Sequence, residues 1–239
     1  MKLLPTIEVN TFLTEQEVDQ LAALVYTQAV ARSDIGDYVE LGQAGRHKGK
    51  KIAIWHDTDV DTLHGVPDII LPKLAQVLGY QPIIEDLHIL ESNIPYMIHN
   101  DFITNHNLTP RTVDWFNSHL PEYTFIIPIE TANSTTIIFN EAYETNNFDS
   151  KSFLINDFEQ FKKIYVGDRS IKLDKQFIID NLTHLHPKEL QYLTLHSTHR
   201  WNKGTMFAVD RRYYHCSDNF IKKDVTYKKA IVIRTVTKI

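Results

Sequence analysis

The sequence predicts a mainly β fold with flanking helices, a sandwich or barrel that carries helices on one face. Three observations point there. From Ile83 onward, short runs rich in β-branched and aromatic residues are separated by Asn, Ser, Thr and Pro. Helical periodicity is concentrated near the start of the chain and in one interior stretch. No internal repeat, low-complexity tract or linker divides the 239 residues, which suits one elaborated domain of helices followed by a β core.

In chain order, Thr14 and Glu17 have capping-box spacing, and Val18, Leu21, Leu24 and Val25 follow on one face of a helix reaching residue 32. Residues 33 to 66 carry five glycines and read as loops around one short strand, Lys51 to Trp55. A second helix runs from Pro67 to Leu78, with Pro67 in the first turn, Gly79 as C-cap and Pro72 as a potential break. Strands are expected at Ile83 to Leu90, Pro95 to Phe102, Tyr123 to Glu130 and Thr135 to Phe139. Helix returns between Asp157 and His199, where Phe158, Phe161 and Ile164, then Leu190 and Leu193, have helical spacing. Strands resume at Thr205 to Val209, Arg212 to His215 and Lys228 to Val236. The division is an N-terminal helical and loop elaboration over 1–82 and a β core of seven or so strands over 83–239, with a helical insert at about 157–199.

Composition narrows the function classes. With 43% hydrophobic and 23% charged residues a core can form, and wholesale disorder is excluded. A net charge of −5 argues against a chain that coats phosphate backbones, so nucleic acid is an unfavoured partner. Lys2, Leu3, Leu4 and Pro5 offer no stretch long enough for a signal peptide, and no apolar run has the length of a membrane span. A cytoplasmic protein is expected. The single cysteine, Cys216, leaves no internal disulfide and no cysteine-rich zinc site.

Twelve histidines draw the eye to metal chemistry. His99 and Asp101 lie two apart, so on an extended strand both project to one side and can reach one point in space. An imidazole and a carboxylate make two-thirds of the facial triad that holds non-haem Fe(II) with positions left open. A His-x-Asp also arises by chance at this composition, and polar residues at a surface strand end are the bland alternative. The second histidine adds weight. Gly204 enters an apolar strand, Arg211 and Arg212 suggest a turn, and Tyr213-Tyr214-His215 a returning strand. After a loop with Ser217 and Asn219, Lys228-Lys229-Ala230-Ile231-Val232-Ile233-Arg234 forms a strand headed by cations.

The ordered set His99-x-Asp101, His215-x-Ser217 and Lys228-Lys229-Ala230-Ile231 resembles the Fe(II)/2-oxoglutarate-dependent oxygenase superfamily. The tail is similar to the phytanoyl-CoA hydroxylase and prolyl 4-hydroxylase type, and Ile94-Pro95-Tyr96-Met97-Ile98-His99 also looks like these enzymes. The motifs cover about 83–239. Lys228 stands where those families usually have Arg, which keeps the charge and loses the bidentate fork. The interval between the two histidines is long and places the helical insert between core strands. The resemblance implies a double-stranded β-helix (a jelly-roll, cupin-like core) and Fe(II) held by His99, Asp101 and His215. It also implies 2-oxoglutarate and O2 as co-substrates, with succinate and CO2 released, and an anchor for the co-substrate's far carboxylate at Lys228. Related halogenases lack the acid, so the presence of Asp101 favours hydroxylation of a small-molecule or peptide substrate.

Other residues admit two readings each. Arg234 shares a strand face with Lys228 and is either a second carboxylate contact or a rim salt bridge. Ser217 either hydrogen-bonds the co-substrate or serves a turn. Tyr96 faces away from His99 on a regular strand and reads as core. His56, Asp57, Asp59 and Asp61 read as a solvated loop more readily than as a lid or metal run. His184, His186, His196 and His199 fall in polar, helical sequence and read as exposed histidines rather than zinc ligands. Lys222, Lys223, Lys228 and Lys229 make the C-terminal region locally basic, which a dianionic co-substrate partly explains. Two other classes remain open: a metal-binding cupin-like barrel without catalysis, and a β-sandwich binding module. The stretch between Tyr143 and Trp201 is the expected place for substrate contacts, and the sequence leaves oligomeric state open.

Overall fold

The computed structural model describes residues 3–32, 38–39, 48–56, 65–101, 119–143, 164–166, 172–191 and 193–238. The strands are β1 (Ile7–Val9), β2 (Tyr38–Val39), β3 (Lys48–His56), β4 (Ile83–Ser92), β5 (His119–Pro128), β6 (Ala132–Tyr143), β7 (Ile164–Val166), β8 (Leu195–Trp201), β9 (Met206–Asp210), β10 (Tyr213–Ser217) and β11 (Lys228–Lys238). The helices are α1 (Glu15–Arg32), α2 (Val66–Leu78), α3 (Lys175–Asn181) and α4 (Pro187–Leu190), with a 3₁₀ turn at Phe220–Lys223. A seven-stranded sheet in the order β1-β9-β5-β11-β4-β3-β2 faces a smaller sheet in which β6 is flanked by β10 on one side and by β7 and β8 on the other. All described pairings are antiparallel. The architecture is the expected jelly-roll with helices on its outer faces.

Period-two alternation sorts the side chains into layers. On the outward face of the large sheet, Leu87 and Ile89 of β4, Phe125 and Ile127 of β5, Met206 and Ala208 of β9, and Ile231 and Ile233 of β11 meet Val18 and Leu21 of α1 and Ile70 and Leu74 of α2. These side chains are almost fully buried, and burial of each one larger than Ala208 contributes about 1.5–3 kcal/mol. The α1 N-terminus closes as a capping box: Glu17 N donates to Thr14 Oγ1 at 3.2 Å, and Thr14 N donates to Glu17 Oε2 at 2.8 Å. Glu17 also pairs with Lys73 of α2 at 3.0 Å. Phe12 N and Leu13 N both donate to Gly204 O at 3.0 Å, which ties the lead-in of α1 to the turn before β9. Gly204 has φ 78°, and a Cβ there would stand 2.4 Å from Leu13 O, so only glycine fits. Ile126, Phe207, Ala230, Val232 and Trp201 pack between the sheets. On the outward face of the small sheet, Ile137, Phe139, Tyr214 and Cys216 lie with Leu182 and Leu185 of the α3–α4 connection and Leu190 of α4.

Several sequence expectations change. The expected strand Lys51 to Trp55 lies within the longer β3, while Ile7–Val9 and Tyr38–Val39 form two further strands of the large sheet where the sequence reading placed none. Pro72 sits inside α2 without ending it. The run expected at Pro95 to Phe102 is not a strand over its described residues. Its described part, to Asp101, makes one bridge, His99 with His215, because Pro95 lacks an N–H and a Ser92 Oγ to Ile94 O bond turns the chain off β4. Between 157 and 199 the described residues hold two short helices and two strands, β7 and β8, rather than a helical insert. Phe158 and Phe161 lie outside the described residues, and Ile164 is in β7. Among the described residues no helix is long and apolar enough to cross a membrane.

Candidate metal centre

The bridge between His99 and His215 builds the centre. His99 N donates to His215 O at 3.0 Å and His215 N donates to His99 O at 2.8 Å, setting the ring centroids 4.3 Å apart. His99 Nδ1 lies 2.7 Å from Met97 O and His215 Nδ1 lies 3.1 Å from Tyr213 O. A carbonyl only accepts, so each Nδ1 carries the proton and each Nε2 is the lone-pair nitrogen, the usual outer hydrogen bond of a ligating histidine. Asp101 is held through its backbone: its N donates to Arg211 O at 2.9 Å, and Arg211 Nε donates to Asp101 O at 2.8 Å. Its Oδ2 accepts from Thr124 Oγ1 at 2.9 Å and lies 3.4 Å from His215 Nε2.

One ligand atom from each of His99, Asp101 and His215 lies within 4.8 Å of the others. Burial alone would raise the Asp101 pKa, but the surrounding positive charges, those of His215 and His99 when protonated and of Arg234 and Arg211 throughout, outweigh it and hold the carboxyl well below the usual carboxylate range. A pair of imidazoles and one buried carboxylate, without a thiolate, suits Fe(II) with positions left for other ligands.

The three residues open on one cavity that Lys228, Ser217, Trp201, Tyr96, His88 and Arg234 also line. Lys228 is only 1% exposed. Its Nζ donates to Ser134 Oγ at 3.2 Å and stands 4.0 Å over the Trp201 ring, and among the described residues it forms no ion pair. Burial brings its pKa down to about 7, against the opposing pull of Asp218 and Cys216. Lys229 lies on the other face, 3.2 Å from Glu91 Oε2, and Ile231 and Ile233 of that face sit under the helices. Arg234 Nη1 donates to Asp86 Oδ2 at 2.9 Å, and Asp86 Oδ1 lies 3.1 Å from His88 Nδ1. Burial pushes the Cys216 thiol pKa up, away from thiolate chemistry.

Three expectations are corrected. Tyr96 lines the cavity, its ring centroid 5.6 Å from that of His99, because the segment is not a regular strand. His196 and His199 belong to β8, not a helix. His199 is buried, between Glu8 Oε2 at 2.8 Å and Ser197 Oγ at 3.0 Å, and His196 Nδ1 lies 3.1 Å from Asn140 Oδ1. His184 is half-buried, with Nε2 3.3 Å from Tyr96 O, while His186 is exposed and caps α4. His56 ends β3, and Asp57, Asp59 and Asp61 lie outside the described residues. The sequence reading missed Asp86 and His88, whose signal is two polar residues alternating with Leu87 and Ile89 in an otherwise apolar strand. It also missed Arg211, fully buried and ion-paired with Glu85.

No protein-family model and no curated protein matches the chain. Among solved structures, it is similar to the non-haem α-ketoglutarate-dependent carbocyclase SnoK from nogalamycin biosynthesis, with 9% identity over 97% of this chain and 79% of that one, at TM-score 0.58. It is also similar to the non-haem α-ketoglutarate-dependent epimerase SnoN from the same biosynthesis, with 11% identity over 97% of this chain and 77% of that one, at TM-score 0.54. At these identities the likeness shows the fold alone: this chain is a double-stranded β-helix, as those two proteins are.

Proposed function

We propose that the protein is an Fe(II)- and 2-oxoglutarate-dependent dioxygenase that oxidises a small-molecule or peptide substrate, with hydroxylation the favoured outcome. The observation that carries this is a His-Asp-His cluster sharing one cavity with a buried lysine that has no carboxylate partner among the described residues. A lone buried ammonium is costly to keep and suggests an anionic ligand that completes it. A metal barrel without co-substrate leaves that lysine unexplained, and so does a binding module.

His99, Asp101 and His215 would hold Fe(II), and Lys228 would meet the far carboxylate of 2-oxoglutarate. When bound, the iron would supply O2 activation coupled to decarboxylation of the oxo acid, giving succinate and CO2. The chain's own residues orient and exclude. Met97 O and Tyr213 O fix the ring orientation of the two histidines, and Thr124 and Arg211 fix Asp101. Lys228, almost fully buried with Ser134 and the Trp201 face behind it, would donate to the carboxylate, and Ser217 lines the same space. Arg234, steadied by Asp86, places a second positive charge near Asp101.

An anaerobic Fe(II) titration with and without 2-oxoglutarate tests the reading. The oxygenase requires both to bind and each to tighten the other. Metal binding indifferent to 2-oxoglutarate would favour the non-catalytic barrel, and absence of metal binding would leave only the binding module.

A further inference from the structure

Behind Lys228 the pairing of β6 with β8 loses register. Ala132 faces Trp201 and Thr135 faces Arg200, which leaves Asn133 and Ser134 as extra residues on β6. A bulge of this kind re-aims side chains, and this one has two consequences. Inward, Ser134 is buried, donating to Asp218 Oδ1 at 2.6 Å and accepting from Lys228 Nζ at 3.2 Å. Outward, the same bulge walls a pocket of about 460 Å³.

The chemistry of that pocket is one-sided. Arg200 and Lys223 line it together with Thr131, Thr135, Asn133 and Asn202, and no carboxylate lines it among the described residues. The nearest acid, Asp218, is fully buried behind Ser134 and already held by Lys223 at 2.6 Å. Arg200 is exposed and forms no ion pair among the described residues. Lys203 is spoken for by Asp19 at 2.6 Å, while its backbone N donates to Thr131 Oγ1 at 3.1 Å and leaves that hydroxyl its own proton to give. An arginine fork, an ammonium, hydroxyls and side-chain amides suit a tetrahedral oxyanion, whereas a metal cation would find no anionic ligand.

We propose that this pocket binds a phosphate group, with Arg200 supplying the unneutralised charge and Lys223, whose other protons go to Asp218 and Asn181, one more hydrogen bond alongside the flanking hydroxyls and amides. The site is separated from the metal cavity by Ser134, so it does not depend on the oxygenase reading. The test is calorimetric titration of inorganic phosphate into the metal-free protein, its Arg200→Ala variant and its Lys228→Met variant, with thermal melts to show that each is folded. Saturable binding that weakens 10-fold or more in Arg200→Ala, and is unchanged in Lys228→Met, is the expected result. Phosphate binding lost in Lys228→Met would place the anion in the metal cavity and overturn the proposal. Binding indifferent to Arg200→Ala, or no saturation of the parent by about 10 mM phosphate, would do the same.

Discussion

Replacing Lys228 with methionine removes one charge from a cavity that is otherwise left intact in shape. In the ligand-free protein the ammonium is 1% exposed, with a hydroxyl at 3.2 Å and an indole face at 4.0 Å in place of water. Its pKa of about 7 lies well below the 10.5 of the exposed side chain. A carboxylate arriving at Nζ favours the protonated form, so binding raises that pKa. Protonation and binding are therefore linked. At pH 8 most of the lysines are neutral before binding, so 2-oxoglutarate takes up a proton as it docks; well below pH 7 it takes up almost none. Affinity is greatest below about pH 7 and falls as pH rises above it, by up to about tenfold for each pH unit. Losing a desolvated charge pair costs about 2–5 kcal/mol, a 30-fold loss of affinity or more. The assay is calorimetric titration of 2-oxoglutarate into the Mn(II) form, in buffers of different ionisation heat, for the parent and for Lys228→Met. Parent binding without proton uptake at pH 8, or Lys228→Met binding as tightly as the parent, would refute the assignment of Lys228 as anchor.

Three other outcomes follow from the same geometry. Without ligand, Lys228→Met melts higher than the parent at neutral pH, by about 2–4 °C for each kcal/mol recovered. A base whose pKa falls on folding costs stability in full below about pH 7, and that cost fades toward 10.5, so the gain in the melting midpoint shrinks as pH rises. Lys229→Ala leaves 2-oxoglutarate affinity within about twofold by calorimetry, because its half-exposed pair with Glu91 lies on the opposite face and is worth little. If Lys229→Ala proves the damaged variant, the register of β11 is off by one residue. Gly204→Ala destabilises the fold by about 2 kcal/mol or more in urea unfolding, since it combines a left-handed backbone with a clash against Leu13 O.

Local signals were legible and long-range ones were not. The Thr14–Glu17 box and the Pro67 and Gly79 punctuation marked α1 and α2 to within a residue or two, because caps are encoded by neighbours in sequence. Runs rich in β-branched and aromatic residues marked β4, β5, β9 and β11, and the two-residue period of a strand placed Lys228 and Lys229 on opposite faces of β11. β8 was misread because the helical spacing of Leu190 and Leu193 was carried on to His199, while its strand character comes from pairing with β6, whose register slips at Ile138 and Phe139. The segment after β4 was misread for the opposite reason. Its Tyr96 to Ile98 apolar run looks like a strand, yet it obtains a single bridge and turns Tyr96 toward the metal cavity. Arg211 passed for a turn residue because its partners, Glu85 and the Asp101 carbonyl, lie more than a hundred positions away.

The claim that His99, Asp101 and His215 form one metal site is tested most directly by Mn(II) binding to the parent and to His99→Ala, Asp101→Ala and His215→Ala, followed by electron paramagnetic resonance of the free ion. Circular dichroism establishes that each variant is folded. The parent should bind one Mn(II), more tightly with 2-oxoglutarate present, and each variant should lose that binding and all oxidative turnover, because each lacks one of three ligands. A folded His215→Ala protein that binds Mn(II) as the parent does, or turns over as the parent does, would contradict the assignment.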